Sequence, residues 1–510
     1  MIEETSNKTI AKNTIYLYSR SFLMMAISLF SSRVILQALG VDDYGLYGAI
    51  GSIVAMFAMI NGVLAAGTSR FLTFELGMGD KERLRKTFSA SFTMHVAIAV
   101  LLFIVLEIVG VWFLNSKMSI PEGREHAANI VFQLSILSCM FSLIQVPYSA
   151  CIIAHERMGV YAYIGIAEAA FKLALIFALL YIPFNDNLIA YAAILAIWSV
   201  GLQIWYMMYC SKHFSESNLI IVRDKGIYKG MLSYSMWDFI GQFCATGNTQ
   251  GVNILINMFF GVSMNAARSV AYQVENAITQ FSSNFMTSVQ PQIVKSYAKG
   301  DFKRFFELIY AGGRYSFFLL FIISLPIFIE ADYILSLWLV EVPPMSVFFL
   351  RCVMIITLLR VPSQTIVRGV HATGKVKVLN LTSGLYSAAT FLPVLYILYK
   401  FGLPVWFCFI VQAFNSLIVC TFLEMRALKI NIDYSMWDYY KKVYYKSVGI
   451  CLLAVFPSIL PILFMNESFV RLLLTVVVSV VSTVITVYYL GLSKEIQSKI
   501  LSFVKSRIIR

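Results

Sequence analysis

Charge is what this chain has least of: Asp, Glu, Lys and Arg together make up 13% of its 510 residues, about half the share of a soluble globular domain. So few charges cannot clothe a water-facing surface of that size, which excludes a large soluble enzyme. Catalytic signatures are missing too. No HExxH pair and no GxSxG elbow occurs, the arrangements that hold an activated water or expose a strained nucleophile. The run Gly369 to Val376 comes near a phosphate-binding loop, but Val376 stands where a magnesium-binding Ser or Thr belongs, and the run joins two apolar segments rather than a strand and a helix. ATP hydrolysis is excluded, and the chain is expected not to be an enzyme. The eight cysteines fall inside apolar segments with no CxxC pair; with no His partner recognised at metal spacing they read as small core fillers, and neither a metal nor a cofactor is expected. No h-region with a small-residue cleavage pattern follows the polar start, Met1 to Asn13, so the first span is expected to stay as an anchor.

What the chain has in abundance is apolar surface: 59% of its side chains are hydrophobic. Lipid must be part of the solvent. Fourteen apolar stretches are expected to span as helices, over 14 to 38, 45 to 66, 87 to 113, 128 to 154, 161 to 182, 188 to 210, 229 to 256, 269 to 290, 306 to 329, 346 to 367, 378 to 399, 403 to 425, 446 to 464 and 469 to 490. The formal net charge of +13 would suit nucleic acid, but its placement says otherwise. Alternate loops assign twenty-nine Lys and Arg residues to one side and five (Lys117, Arg124, Arg268, Lys400 and Arg471) to the other. The positive-inside rule then puts both termini in the cytoplasm. The tail, Ser493 to Arg510, alternates basic and apolar residues as a helix lying on an anionic leaflet would.

The chain also matches itself. At an offset of 221, Leu39-Gly40-Val41 meets Phe260-Gly261-Val262, and Gly79-Asp80 with Arg83 meets Gly300-Asp301 with Arg304. At 215, Val146-Pro147 meets Val361-Pro362, and Gly159 meets Gly374. Ordered matches at two constant offsets indicate a repeat. Six spans per repeat is an even number, so the halves are related by an axis along the membrane normal, as in alternating-access transporters. The expected architecture is therefore an all-α membrane protein of two six-helix lobes, 1–227 and 228–428, with two further helices and the basic tail in 429–510.

Polar residues inside the spans nominate a site. Gln242, Thr246, Thr249, Asn253 and Asn257 share one face of the seventh span; Gln273, Asn276, Gln280 and Asn284 share one face of the eighth, with Glu275 at its edge. Such faces either glue helices together or line a hydrated cavity. Charges are sharper, because an unpaired one costs about 3 kcal/mol or more at mid-membrane. Arg20, Arg33, Glu168, Lys172 and Arg314 are cavity candidates with Gln242, Asn253, Gln273, Glu275 and Gln280. Glu168 and Lys172, four apart, equally suit an intrahelical ion pair, while Arg33, Arg351 and Arg360 can snorkel. Asp42 and Asp43 invite comparison with membrane glycosyltransferases that use polyprenyl donors. Their repeat partners are Ser263 and Met264, and the longest external loop is too short to fold alone, so loop or capping acids suit them better.

The turn Leu39-Gly40-Val41-Asp42-Asp43-Tyr44-Gly45-Leu46-Tyr47, the Gly79-Asp80 loop and the plan of six, six and two helices resemble the Wzx-like polysaccharide flippases. These belong to the multidrug, oligosaccharidyl-lipid and polysaccharide exporter superfamily. The resemblance implies a bacterial inner-membrane protein that moves undecaprenyl-pyrophosphate-linked glycans to the outer leaflet for O-antigen, capsule or exopolysaccharide synthesis. Its implied partners are that glycolipid, membrane lipids and polysaccharide polymerase machinery, with no nucleic acid. Cavity arginines are implied to bind the pyrophosphate; Arg20, Arg33 and Arg314 are the candidates by position. Coupling to protons or sodium stays open. The alternatives are a multidrug cation antiporter of the same superfamily and, behind it, a polyprenyl-phosphate-dependent glycosyltransferase or polymerase.

Overall fold

Within hydrocarbon a spanning segment has to pair its own N–H and C=O groups, so runs of about 20 apolar residues fold as helices. The computed structural model describes residues 2–116, 120, 123–181, 184–260, 262–339, 342–492, 494, 497 and 498, and among them there is no strand. The helices are α1 (Ile2–Met78), α2 (Lys81–Ser116), α3 (Glu125–Ala154), α4 (Met158–Tyr181) and α5 (Asn187–His213). Next come α6 (Lys225–Phe260), α7 (Val262–Ala298), α8 (Phe302–Ile329), the short α9 (Ala331–Trp338), α10 (Ser346–Arg360) and α11 (Ser363–Thr373). The last four are α12 (Lys377–Lys400), α13 (Phe407–Asn431), α14 (Met436–Phe464) and α15 (Phe469–Gly491). Among the described residues nine helices are long and apolar enough to cross a membrane, and α10 with α11 forms a tenth span bent by 45°. The two arms of α1 and the more polar α6 and α7 complete the fourteen.

Sequence reading expects a loop near residues 39–44, whereas the backbone of α1 is helical from end to end. Laid straight, 77 residues would reach about 115 Å. Instead its ends meet. Asn13 Nδ2 donates to Glu156 O (3.0 Å), Glu156 Oε1 accepts from Lys295 Nζ (2.5 Å), and Gly77 packs on the Lys295 backbone. The helical stretch thus doubles back into two arms, with Asp43 near the far end. There Arg124 Nε donates to Asp43 Oδ1 (2.8 Å), its Nη2 contacts Asp43 Oδ2, and its Nη1 reaches Asp186 Oδ2 (2.6 Å). Asp43 is therefore half of a partly buried ion pair rather than a loop or capping acid.

The chain folds as two compact units, Met1–Phe239 with Val294–Asp301, and Ile240–Ile293 with Phe302–Arg510. In the first, Leu72, Phe88, Tyr148, Cys151 and Tyr206 join α1 to α2, α3 and α5. The repeat is visible at its turns. Gly79 and Gly300 both take positive φ (78° and 71°), the left-handed conformation that ends a helix cheaply only at glycine. Asp80 then caps α2, accepting from Arg83 N (3.0 Å). The other paired position has diverged: Pro147 stays inside α3, while its counterpart Pro362 lies in the break between α10 and α11, where the missing N–H favours a kink.

The second unit holds residues 429–492 against its own core. Tyr439 donates to Pro362 O (2.6 Å) and shares a hydrogen bond with Thr365 (3.0 Å). Farther along, Arg471 Nε and Nη2 clasp Glu330 (3.0 and 2.7 Å), and Thr475 Oγ1 donates to the same carboxylate (2.8 Å). The carboxylate is wholly buried. On outward faces, Phe456, Leu463, Phe464, Val470 and Val477 are exposed, as lipid contact requires. The tail expected to be an amphipathic helix lies outside the described residues, apart from 494, 497 and 498.

Because removing one member strands the other charge in an apolar setting, Glu330→Ala should destabilise the folded protein by about 3 kcal/mol. The check is thermal unfolding in detergent: Glu330→Ala melts well below the parent, and the double replacement Glu330→Met with Arg471→Met recovers most of the loss. Equal loss in both would show that the ion pair has no special weight.

Candidate functional site

The second unit contains a cavity of about 830 Å³. Thr249 of α6 lines one wall, and α7 supplies Arg268, Ser269, Tyr272, Gln273, Glu275, Asn276, Thr279, Gln280 and Ser283. Thr357 and Arg360 from α10 with Gln364 and Arg368 from α11 complete it. The helical repeat explains the α7 wall. Residues three and four apart fall on one side, so the amide stripe becomes a continuous polar surface while Ala267, Ala271 and Ile278 pack into the core behind it. The bend between α10 and α11 lets both helices contribute an arginine to the same cavity.

Three guanidinium groups face one carboxylate, so the lining is net positive by two. Arg268 is 4% exposed and lies over the Tyr272 ring at 4.3 Å, and Gln412 Nε2 donates to the Tyr272 hydroxyl (2.5 Å). Arg360, at the end of α10, is exposed within the cavity. Its charge interacts with Glu275 and with Glu424 of α13. Glu275 is oriented by Thr357 Oγ1, which donates to its Oε1 (3.0 Å). Gln280 Nε2 donates to Asn284 Oδ1 at 3.3 Å, long enough to exchange for a ligand oxygen. Fixed arginines beside exchangeable amides suit an anion with a hydroxyl-rich periphery.

Of the ten residues nominated from sequence, Gln273, Glu275 and Gln280 meet here. Gln242 is exposed on α6 and Arg314 is half-buried on α8, and neither lines this cavity. Arg314 Nε is buried with no hydrogen-bond partner among the described residues, as is Arg20 Nε in the first unit. Arg20 lies over the Tyr161 ring (4.4 Å) and against Gly165, where a Cβ would collide with its Nε. Glu168 is half-buried on α4. The side chains of Arg33, Lys172 and Asn253 lie outside the described residues.

Three arginines were misplaced or underrated in the sequence. Arg268 counts there as an external-loop charge, but it is inside α7 and buried. Arg368 counts as a cytoplasmic loop charge, but it is in α11. Arg360 reads as a snorkelling side chain, but it lines the cavity. Arg351, given the same reading, pairs with Asp332 at 2.8 Å. The available signal was spacing: Arg268 is five residues before Gln273, and Arg360 and Arg368 are eight apart across a proline. Of the α6 stripe, Thr249 lines the cavity, while a residue beside the stripe serves as glue. On α6, Asn248 Nδ2 donates to Ser387 Oγ (3.3 Å), which also accepts from Asn415 (3.2 Å), a bonded seam to α12 and α13. The α7 stripe lines the cavity.

Water and a positive potential in this cavity should be directly measurable. In a chain freed of its half-buried cysteines, Cys139, Cys244 and Cys352, Asn276→Cys and Gln280→Cys should react with water-soluble methanethiosulfonates while Ile278→Cys does not, and the anionic reagent should outpace the cationic one severalfold. The reverse order would contradict the charge assignment.

No family profile matches the chain, and no curated protein matches it. Solved structures do. A structure described as MATE in the straight conformation superposes with a TM-score of 0.73 at 12% identity, over 86% of this chain and 97% of that one. An outward-facing multidrug resistance MATE family transporter of the MOP superfamily gives 0.70 at 13%, over 84% and 97%. A MOP superfamily transporter from Pyrococcus furiosus Vc1, described as having a binding pocket of reverse polarity that suggests a different function, gives 0.65 at 12%, over 84% and 96%. The chain is a multi-pass helical protein with the fold of the MOP-superfamily transporters.

Proposed function

We propose that this protein is a transporter of the inner membrane that works by alternating access and carries a polyprenyl-pyrophosphate-linked oligosaccharide to the outer leaflet for surface polysaccharide synthesis. The observation that carries this reading is the cavity lined by Arg268, Arg360 and Arg368 together with amides and hydroxyls. A sugar pyrophosphate head brings about two negative charges and many hydroxyls, and its bare passage through hydrocarbon is prohibitive. Guanidinium groups replace the water around the phosphates, and Gln273, Asn276, Gln280 and Gln364 offer both donors and acceptors to sugars. The polyprenyl tail never has to leave the bilayer.

The second reading is a multidrug antiporter, and the solved structures described as MATE transporters favour it. A cationic drug, however, would have to settle in a lining of net positive charge. The Pyrococcus furiosus protein shows that pocket polarity can differ among proteins of this fold.

Cells lacking the gene should accumulate lipid-linked oligosaccharide on the inner leaflet with dye efflux unchanged. Arg360→Gln and Arg368→Gln should each cut complementation by about tenfold or more, since each removes a charge-assisted contact worth about 1.5 to 3 kcal/mol. If the arginine variants restored surface glycan fully, or if cation export fell instead, the antiporter reading would replace this one.

A further inference from the structure

A second cluster of chemistry-bearing side chains sits in the first unit, apart from the cavity and independent of the transport reading. Cys151 and His155 are one turn apart at the end of α3, so they share a face. This spacing gives one cysteine a His partner, against the expectation that none has one. Past the end of α5, Phe214 redirects the chain and the turn Ser215–Ser217 brings Glu216 back onto them. Cys151 Sγ donates to Glu216 Oε1 at 3.6 Å, and His155 Nε2 meets the same oxygen. All three donor atoms lie within 4.8 Å of one another. Cys210, on the last turn of α5, lies beside Cys151 and donates its thiol to Tyr148 O at 3.5 Å, and both thiols are free.

We propose that Cys151, His155 and Glu216 form a zinc site that pins the α3–α4 turn to the end of α5, completed when the Cys210 thiol turns from Tyr148 O to join them. Four donors bonded to zinc at about 2.0–2.3 Å in a tetrahedron stand about 3.3–3.8 Å apart, a spacing the thiol and carboxylate already have. Two thiolates with an imidazole and a carboxylate match the borderline-soft preference of zinc and exclude magnesium or calcium. Cys151, Cys210 and Glu216 are 1%, 0% and 5% exposed, which makes the site closed and structural rather than open and catalytic. The ring of His155 is held flat against Phe214, 4.1 Å between centroids, so its Nε2 is preoriented. On binding, both thiols release their protons to solvent. Two thiolates, the carboxylate and Zn²⁺ then sum to −1, beside which Arg157, over the ring of Phe214 at 5.2 Å, supplies a positive charge.

The test uses the full chain in detergent with any affinity tag removed, measuring bound zinc by mass spectrometry and Co²⁺ binding by absorption. We expect about one metal per chain and a thiolate-to-cobalt charge-transfer band. Cys151→Ser and Glu216→Gln, both close in shape to the parent, should each weaken Co²⁺ binding by about tenfold or more. Cys408→Ser, on α13, should leave it unchanged. A parent chain that binds cobalt without thiolate absorption or not at all, variants that bind as the parent does, or a Cys151–Cys210 disulfide in place of metal would each overturn the assignment.

Discussion

The cost of an ionised group in hydrocarbon governs this molecule. Among the described residues the chain meets it in three ways. Arg471 and Glu330 neutralise each other, as do Arg124 with Asp43 and Asp186, and Arg351 with Asp332. Arg20 and Arg268 lie over aromatic rings, whose faces attract a cation. Arg360 and Arg368 line a cavity large enough to hold water and a solute. The paired charges stabilise the fold, and Arg268, held over its ring, joins Arg360 and Arg368 in one cavity lining.

That division separates scaffold from site. The paired charges sit near helix ends, where Glu330 follows α8 and Arg124 precedes α3, and they fix how neighbouring helices meet. The cavity charges come from α7, α10 and α11, brought into one lining by the bend before Ser363. Proline does this at one half of the repeat only: Pro147 is accommodated within a continuous α3. Matched positions of the two halves thus have two structural outcomes, and the residues around the broken one carry the arginines.

Much of the fold was legible in the sequence because hydropathy has a length scale, the thickness of the bilayer. The Gly79-Asp80 and Gly300-Asp301 matches were legible for a local reason, since each marks a helix end with positive φ. Where one helix ended and another began was harder. Arg268 looked like a loop charge because a +1 residue near the end of a polar span is the usual topology signal, and only packing shows it buried against Tyr272. The site was half legible. The α7 stripe follows from helical periodicity, but Arg360 and Arg368 join it from segments distant in sequence, and no periodicity spans them. Glu216 escaped for the same reason: sixty-one residues separate it from His155.

A cationic, hydrated cavity for an anionic amphiphile is the claim on which the functional account stands. Equilibrium binding to the purified protein tests it most directly, comparing a polyprenyl-pyrophosphate glycan with a lipophilic organic cation over a range of salt. The account predicts saturable binding of the pyrophosphate lipid, weakening as salt rises, with no displacement by the cation. Tight binding of the cation that excluded the pyrophosphate lipid would contradict it.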